Sequence, residues 1–430
     1  MSENCCTADV LPRYRRVLWI ALGANLLMCV VELAASAMSG FAREGVDLSV
    51  MGIEFFGIAE TPVLMAIPLF TFAGFLLSEG GAPRRLVALS QALLGWLPGG
   101  LAIISLATCA LFTAFTGASG VTIIALGALL VPALAEAGYA ERFNLGLITT
   151  AGSLGLLFAP SLPLILYGVV AETSIDDLFV AGVIPGTLML VLLGVYSFWR
   201  NRHIRSNLRE ASLGALIAAL KASKWELPLP LLVLGGIYSG YFAVSEAAAV
   251  TALYVAFVEL VVLREIAWRN LPRVVRESMI LVGAIFMILG MSLASTNYMI
   301  DIEVPQRLFA AISPFIEGPY TFLAALLVFL LILGAILDIF SAIVLVVPLI
   351  LPIASEYGVD PVHLGITFLA AMELGYLTPP VGLNLFISSY RFDKDIAEIY
   401  SATWPFLLVL LVCVVIIAFV PQLSLYLLSL

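Results

Sequence analysis

The chain has 430 residues, of which 62% are hydrophobic and only 11% are charged, and its formal net charge is −9. A soluble domain is about 45–50% apolar and about 25% charged, so this composition excludes an ordinary soluble protein and indicates several membrane spans. Ten-residue segments of alternating polar and apolar residues are absent, which argues against a β-barrel and predicts an all-α polytopic membrane protein.

Missing motifs disfavour several classes of function. The chain has no GxxxxGK[ST] phosphate-binding loop, so it is not itself an ATPase. It has two histidines, both near predicted membrane edges, and no HExxH pair, which disfavours a membrane-embedded enzyme. The five cysteines indicate neither a disulfide framework nor a zinc site. We expect no organic cofactor and no nucleic-acid partner.

The first predicted span covers residues 17–39 and follows a polar start that ends in a cluster of arginines. It is long enough to cross a bilayer and lacks a cleavage site, so it is interpreted as a retained helix rather than a signal peptide. Residues 40–60 are polar or interfacial, and residues 61–79 form a second span. Residues 86–97 are amphipathic and too short to cross.

Residues 98–137 form two apolar halves joined by a tip of glycine, serine and threonine, FTGASGVT at 115–122. Two interpretations remain open. The halves are either two full spans with a very short loop, or a re-entrant hairpin whose tip stops within the membrane.

The span at residues 143–171 is broken by LGLLFAPSLPLILY, from Leu154 to Tyr167. Proline removes a backbone donor and clashes with the preceding turn, so a helix cannot continue through Pro160 and Pro163 undisturbed. Non-helical backbone at membrane depth is tolerated only where it is buried in protein or lines a cavity. The break therefore points to a binding site.

The rest of the chain repeats these features. After an acidic loop at 172–177, spans are predicted at 178–199, 226–243, 245–263 and 277–299, with basic segments at 200–224 and 264–276. A short amphipathic piece at 306–316 precedes a second hairpin, residues 319–355, with its tip near 334–341. A second broken span, 361–390, carries LGYLTPPVGLNLFI from Leu374 to Ile387, and residues 399–428 form the last span.

The positive charges assign sides to these spans. With the N-terminus in the cytoplasm and both hairpins re-entrant, every lysine and arginine except Arg43 and Arg307 falls on the cytoplasmic side. This arrangement predicts nine crossings and a periplasmic C-terminus. Making a hairpin cross fully changes no side, so charge does not decide hairpin depth.

Prolines reveal an internal repeat. At an offset of 220 residues, Pro132, Pro160 and Pro185 match Pro352, Pro380 and Pro405. Each unit has the order span, amphipathic arm, hairpin, broken span, span, and the charge assignment gives the two units opposite orientations. Such an inverted-topology repeat is typical of secondary transporters rather than channels. The predicted divisions are 1–60 (scaffold), 61–199 (first repeat), 200–276 (linker and two scaffold helices) and 277–430 (second repeat).

These segments together resemble the large membrane subunit of tripartite ATP-independent periplasmic (TRAP) transporters, within the ion transporter superfamily. The resemblance covers the chain from about residue 60 to the end. The matching segments are IPLFTFAGFLLSEGGAPRRL (67–86), LPGGLA (97–102), FTGASG (115–120), APSLPLILYGVVAETSIDDLFVAGVIPG (159–186), GIYSGYFAVSEAAAVTALY (236–254), VPQRL (304–308) and LGYLTPPVGLNLF (374–386).

The resemblance implies an elevator-type transporter of the bacterial inner membrane that imports an organic acid with sodium. It also implies a small four-helix membrane subunit, called Q, and a periplasmic solute-binding protein, called P, as partners. The alternative is a stand-alone sodium- or proton-coupled anion carrier of the same superfamily, without a binding protein.

On this interpretation the tips and breaks supply the site. Helix breaks free backbone carbonyls for a cation, and hydroxyl groups complete its shell. The predicted sodium-binding residues are Thr116, Gly117, Ser119, Gly155, Gly334, Asp338, Ser341, Gly375 and Thr378. The predicted substrate-binding residues are Ser119, Thr122, Pro160, Ser161, Pro379 and Asn384.

Three acidic residues, Asp338, Glu246 and Glu373, stand out in apolar surroundings. Asp338 is far from any basic residue in sequence, and an ionisable group at this depth is a functional hypothesis by default. The alternative for Asp338 is a structural cap at a helix N-terminus, and the two interpretations stay open. Glu246 follows a tight turn and is expected to cap a scaffold helix instead.

Overall fold

The computed structural model describes residues 61–94, 99–203, 213–316 and 318–429, together with residues 35, 38, 49 and 53. Within these ranges the regular elements are all helical. The predicted first span, residues 17–39, lies outside them apart from residues 35 and 38. Residues 204–212 of the basic linker also lie outside.

The first half builds a hairpin and a broken helix after two leading helices. A proline-led 3₁₀ turn, Pro62–Met65, precedes them, and a second 3₁₀ turn, Leu154–Leu157, lies in the break. The helices are α1 (Ala66–Glu79), α2 (Ala82–Leu94), α3 (Gly100–Thr116), α4 (Ser119–Glu136), α5 (Glu141–Ala151), α6 (Leu162–Val170), α7 (Ile175–Ala181) and α8 (Val183–Asn201).

The second half opens with linker helices and repeats the order of the first. A π-helical turn, Val258–Val262, extends α11, and short 3₁₀ turns precede α12 and follow α13 and α19. The helices are α9 (Leu213–Ala222), α10 (Pro228–Tyr238), α11 (Val244–Phe257), α12 (Leu271–Asp301), α13 (Val304–Ile312), α14 (Pro319–Gly334), α15 (Ile339–Glu356), α16 (Pro361–Gly375), α17 (Leu383–Phe392), α18 (Ile396–Phe419) and α19 (Gln422–Leu425).

Membrane-spanning helices dominate the described part of the chain. There, 7 helical segments are long and apolar enough to cross a bilayer, or up to 9 if each of two bent helix pairs counts as one span. One of those pairs is the predicted first broken span, in which Glu141–Leu157 and Leu162–Val170 meet at 43°. This confirms an all-α polytopic membrane protein.

Helix bounds follow the proline offset. The second arm of each hairpin, α4 at 119–136 and α15 at 339–356, begins and ends 220 residues from the other. Pro132 and Pro352 lie inside these two helices at the same offset. The predicted hairpins and broken helices are therefore present, whereas the opposite orientation of the two units in a membrane stays a prediction.

Helix packing crosses between the halves. The second arm of each hairpin packs against the helix that follows the other half's break, so α4 contacts α17 and α15 contacts α6. Helix α1 packs against α11 and α12, and the amphipathic arm helix α2 packs against the first hairpin and α9. Most of the buried apolar residues form one large core, and a smaller cluster of Leu145, Leu385, Ile399 and Ala402 lies between α5, α17 and α18.

One predicted span is shorter than expected. The predicted span at 226–243 is helical only over Pro228–Tyr238, because turns precede Pro228 and the chain turns again at Gly240, whose φ is 73°. The expected cap at the next helix is confirmed, since the Glu246 carboxylate accepts the Ala243 N–H at 3.0 Å.

Candidate functional site

The first hairpin tip turns at Gly117. Its φ of 63° is in the left-handed region, and its N–H donates to the Thr113 carbonyl at 2.7 Å. A Cβ at Gly117 would lie 2.3 Å from Leu162 Cγ, so a larger residue would clash. The tip therefore sits directly on the first residue of α6, beside Ser161.

Hydroxyl groups link the tip to the first break. Thr113 Oγ1 lies 2.6 Å from Thr122 Oγ1, and it donates to the Gly152 carbonyl at 2.9 Å. Gly152 follows α5, and a Cβ there would lie 3.3 Å from the Ser119 carbonyl oxygen. The start of α4 and the end of α5 are thus in contact through small and polar groups.

The first break is tightly enclosed. A Cβ at Gly155 would lie 2.2 Å from the Ala110 carbonyl oxygen, so α3 runs against the bare backbone of the 3₁₀ turn. The Ala159–Pro160 peptide bond is cis, and Ser161 is the residue that precedes α6. Both Pro160 and Ser161 are buried.

Three hydroxyl groups in this region are buried without a hydrogen-bond partner. They belong to Thr116 at the tip, Thr150 in the last turn of α5, and Ser161 at the start of α6. Buried polar groups are normally hydrogen-bonded, so each of these oxygens is available to a ligand. Hydroxyls and freed carbonyls are the donors that hold sodium in discontinuous helices, so these residues fit a sodium ion.

The second broken helix reaches this region as well. Asn384 Nδ2 donates to the Thr149 carbonyl at 3.4 Å, and Thr149 Oγ1 donates to Ser388 Oγ at 2.8 Å. Asn384 Oδ1 is buried and has no partner. Asn384 and Ser388 are four residues apart and share one face of α17, which is turned toward α5.

Asp338 caps the helix that follows the second tip. Its Oδ2 accepts the N–H groups of Phe340 and Ser341 at 3.0 and 3.1 Å, and its Oδ1 accepts the Ser341 hydroxyl at 2.5 Å. The capping interpretation is therefore confirmed. A cation-binding role for Asp338 stays a prediction.

The second tip lies against the second break in the same way as the first tip. A Cβ at Gly375 would lie 2.6 Å from the Gly334 Cα, so the two glycines bring α14 and α16 into backbone contact. The Ile339 N–H donates to Tyr376 Oη at 2.9 Å, and the Val381 N–H donates to the Ala335 carbonyl at 3.2 Å.

The two breaks differ in exposure. Pro160 and Ser161 are buried, whereas Thr378 is half-buried and Pro379 is exposed. The Pro379–Pro380 peptide bond is cis, and the Thr378 hydroxyl donates to the Leu374 carbonyl at 2.9 Å. The first break is therefore closed in this conformation, and the second lies at the surface of the chain.

The predicted site residues thus form two groups. The first contains Thr116, Gly117, Ser119, Thr122, Gly155, Pro160, Ser161 and Asn384. The second contains Gly334, Asp338, Ser341, Gly375, Thr378 and Pro379. The segments that carry the two groups touch where α16 packs against the 3₁₀ turn of the first break.

Sequence analysis missed several polar residues around the first tip and the first break. Thr113, Thr149 and Thr150 contact the tip or the second broken helix or lie buried beside them, and Ser388 completes the contact with Thr149. The run of small and hydroxyl residues at 149–153 and the Asn384–Ser388 spacing were the available signals.

A further acidic residue lies between the two breaks. Glu373 is in the last turn of α16, is fully buried, and has no hydrogen-bond partner at either carboxyl oxygen. Its helix packs against the 3₁₀ turn of the first break, Leu154–Leu157. In the described ranges, no group of three or more histidine, cysteine, aspartate or glutamate residues could hold a metal ion.

Comparison with protein families gives one match over most of the chain. Residues 8–423 match the family described as "Tripartite ATP-independent periplasmic transporter, DctM component". The C4-dicarboxylate TRAP transporter large permease protein DctM of Pseudomonas aeruginosa is 36% identical over 377 residues, which are 87% of this chain and 88% of that protein.

Two further proteins are similar. The isethionate TRAP transporter permease protein DctMQ of Oleidesulfovibrio alaskensis is 34% identical over 95% of this chain and 63% of its own length. Among solved structures, the YdaH transporter of Alcanivorax borkumensis matches with a TM-score of 0.62 at 14% identity, covering 86% of each chain. At that identity the likeness is one of fold alone.

Proposed function

The chain belongs to the DctM component family of TRAP transporters, and we propose that it is the permease through which a small organic acid enters the cell with sodium. Its relatives are transporter permeases and not enzymes. Transport is therefore the family's activity, and the proposal concerns the coupling ion, the substrate class and the partners.

The observation that carries the proposal is the pairing of tips and breaks. Each hairpin tip lies on the broken helix of its own half, at Gly117 with Leu162 and at Gly334 with Gly375. Unwound backbone and half-helix ends are the elements that coordinate sodium in secondary transporters. The unpartnered hydroxyls of Thr116, Thr150 and Ser161 support a cation site at the first pair.

The substrate class is argued from the relatives and from the donors present. The two relatives compared are named for C4-dicarboxylates and for isethionate, which carry carboxylate or sulfonate groups. Thr378, half-buried in the second break beside the exposed Pro379, is a polar group that such an acid can approach. Asn384, which follows on α17, is buried in the conformation described. We propose that the acid binds here, between the two broken helices.

The partners follow from the family. A periplasmic P protein delivers the acid, and a Q subunit packs beside the permease. One relative is named DctMQ, so Q is either a separate chain or part of a fusion. We propose an elevator in which the tips and breaks move together, with the N-terminus cytoplasmic and the C-terminus periplasmic.

Reconstitution tests the proposal. The permease is placed in liposomes with its Q subunit, and binding protein loaded with radiolabelled succinate or isethionate is added outside. Uptake is expected with an inward sodium gradient and not with potassium in its place. Equal uptake in both salts, or full uptake without the binding protein, contradicts the proposal.

A matched pair of variants ties the uptake to the site. Thr122→Val removes the hydroxyl that meets Thr113 at 2.6 Å and keeps the side-chain volume. Thr321→Val makes the same change at the exposed start of α14, away from both breaks. Sodium-driven uptake is expected to fall in the first variant and to be unchanged in the second.

A further inference from the structure

A cluster of charged side chains surrounds the junction between α1 and the arm helix α2. Arg85, in the first turn of α2, meets Glu226 ahead of α10, Glu259 in the π-helical turn after α11, and Glu265 in the loop beyond. Arg85 Nε donates to Glu226 Oε1 at 2.6 Å, and Arg85 Nη1 donates to Glu265. The arm is thereby tied to three separate segments of the predicted scaffold.

The same glutamates cover the link between α1 and α2. This link consists of Gly80 and Gly81, and a Cβ at Gly80 would lie 2.4 Å from Glu259 Oε2. The Gly81 N–H donates to Glu265 Oε2 at 2.5 Å. A change in the direction of α2 at these glycines therefore has to move Arg85 relative to both carboxylates.

One carboxyl group of the cluster is less well partnered than the other two. Glu259 is fully buried, and neither of its carboxyl oxygens accepts a hydrogen bond. Arg85 Nη2 lies 2.5 Å from Glu226 Oε1 and 3.5 Å from Glu259 Oε1, so the guanidinium pairs closely with Glu226 and only loosely with Glu259. A buried carboxyl group that makes no hydrogen bond is unfavourable, so a small movement of the guanidinium from Glu226 toward Glu259 satisfies Glu259 at the expense of Glu226.

We propose that Glu259 is the second partner of Arg85, and that the guanidinium exchanges partners when α2 pivots at Gly80 and Gly81. In the conformation described here, Glu226 and Glu265 hold Arg85. In the other conformation Arg85 bonds to Glu259 and releases Glu226, Glu265 or both. A π-helical turn is frequently found at functional positions, and Glu259 lies in one.

Arg85 and Glu259 thus set the position of the arm helix α2. The inference rests on the proposed function only in assuming a transport cycle in which α2 moves. A two-state element responds to contacts that differ between its states. Removing Glu259 therefore stabilises the conformation described here, and removing Glu226 or Glu265 favours the other. If the salt bridges only stabilised the fold, these substitutions would not shift the two conformations in opposite directions.

Spin-label distances test this directly. Labels are placed at Ala88→Cys on α2 and Leu253→Cys on α11, both exposed, after the native cysteines are replaced. The permease is measured with its Q subunit in lipid nanodiscs, in sodium chloride and in potassium chloride. The variants are Glu259→Gln, Glu226→Gln and Glu265→Gln, with Glu79→Gln as the control because Glu79 pairs with Arg273 at the surface.

The expected result is two distances whose populations shift in opposite directions. Glu259→Gln is expected to raise the ratio of the shown conformation to the other by about 5-fold or more, and Glu226→Gln to lower it similarly. If Glu226→Gln is not recovered folded, Glu265→Gln tests the same direction. Shifts in the same direction, no shift, or a single distance in all conditions overturns the inference. Opposite shifts without any acid uptake contradict the proposed function but still support the exchange of partners by Arg85.

Discussion

The Asp338 side chain combines a structural contact with an ionisable group in the second hairpin. Its oxygens accept two backbone N–H groups and the Ser341 hydroxyl, so the side chain is held at the start of α15. Asparagine caps a helix about as well as aspartate but carries no charge. The two roles can therefore be separated by substitution.

Asp338→Asn is expected to keep the fold and to raise the sodium concentration for half-maximal uptake by about tenfold, the scale of losing a carboxylate that supports a metal site. Asp338→Ala removes the cap as well and is expected to cost about 0.5–2 kcal/mol of stability. Melting temperature and sodium-dependent uptake are measured on both variants.

Asp360→Asn is the matched control for Asp338→Asn. Asp360 caps α16 by accepting the N–H groups of Val362 and His363, and it lies away from both tips. Its substitution is expected to leave the sodium dependence unchanged. Normal sodium dependence in Asp338→Asn would show that Asp338 is structural alone.

At the scale of elements, α14 and α16 come into backbone contact at two glycines. A Cβ at Gly375 would meet the Gly334 backbone at 2.6 Å, whereas a Cβ at Gly334 would lie 3.1 Å from the Gly375 Cα. Backbone atoms cannot move aside as side chains can. The two glycines should therefore differ in their tolerance of alanine.

Gly375→Ala is expected to lower stability by about 1–3 kcal/mol through overpacking, and Gly334→Ala by less. Gly283→Ala on α12 is the control because a Cβ there meets nothing within 4 Å. Alanine at Gly283 is expected to be neutral or slightly stabilising. The melting temperatures of the purified proteins are expected to be lowest for Gly375→Ala, higher for Gly334→Ala and highest for Gly283→Ala. Equal melting temperatures for all three variants would contradict this order.

The junction of α1 and α2 has a pH dependence with a defined sign. Burial of Glu265 acts to raise the pKa of its carboxyl, but the hydrogen bonds from Arg85 and Gly81 outweigh burial and lower that pKa below the ordinary 4.5. A group with a lowered folded pKa stabilises the fold above its unfolded pKa. That stability is lost as the pH falls through the folded pKa.

The melting-temperature difference between the wild type and Glu265→Gln is therefore expected to be constant near neutral pH and to shrink below pH 4.5. Glu356→Gln, an exposed change at the end of α15, controls for general acid effects. A difference that grows on acidification would reverse the assigned sign.

The elements could be predicted from the sequence because prolines act locally. Pro160 and Pro380 interrupt their own helices wherever those helices pack, so the breaks and the 220-residue offset are readable directly. The contact of Thr149 with Ser388 could not be predicted, since the two residues are 239 apart and meet only after α5 and α17 pack. Asp338 was found as a lone acid, but its partners depend on the turn after Gly334.

At the scale of the whole molecule, the two halves have the same order of elements but differ in the exposure of their breaks. The first break is buried and the second is exposed at Pro379. Alternating access between two related halves requires such an asymmetry, because a site that is open equally to both sides would leak. The depth of the first hairpin decides whether its tip can belong to the moving site.

Sidedness can be measured with single cysteines in a background without the native five. Tyr241→Cys lies at the exposed turn between α10 and α11, and Lys221→Cys lies on the exposed surface of α9. The charge distribution predicts that the first lies outside and the second inside. A membrane-impermeant maleimide added to intact cells is expected to label Tyr241→Cys, and to label Lys221→Cys only after permeabilisation.

Ala118→Cys then measures the depth of the first tip. A re-entrant hairpin opens to the cytoplasm and stops within the membrane, so this half-buried position is expected to react far more slowly than Tyr241→Cys from outside. Two full spans would instead place Ala118 in an outside loop and give it a similar rate. Contact of Gly117 with Leu162, next to the buried Ser161, favours the slow reaction. Equal rates would remove the first tip from the proposed site.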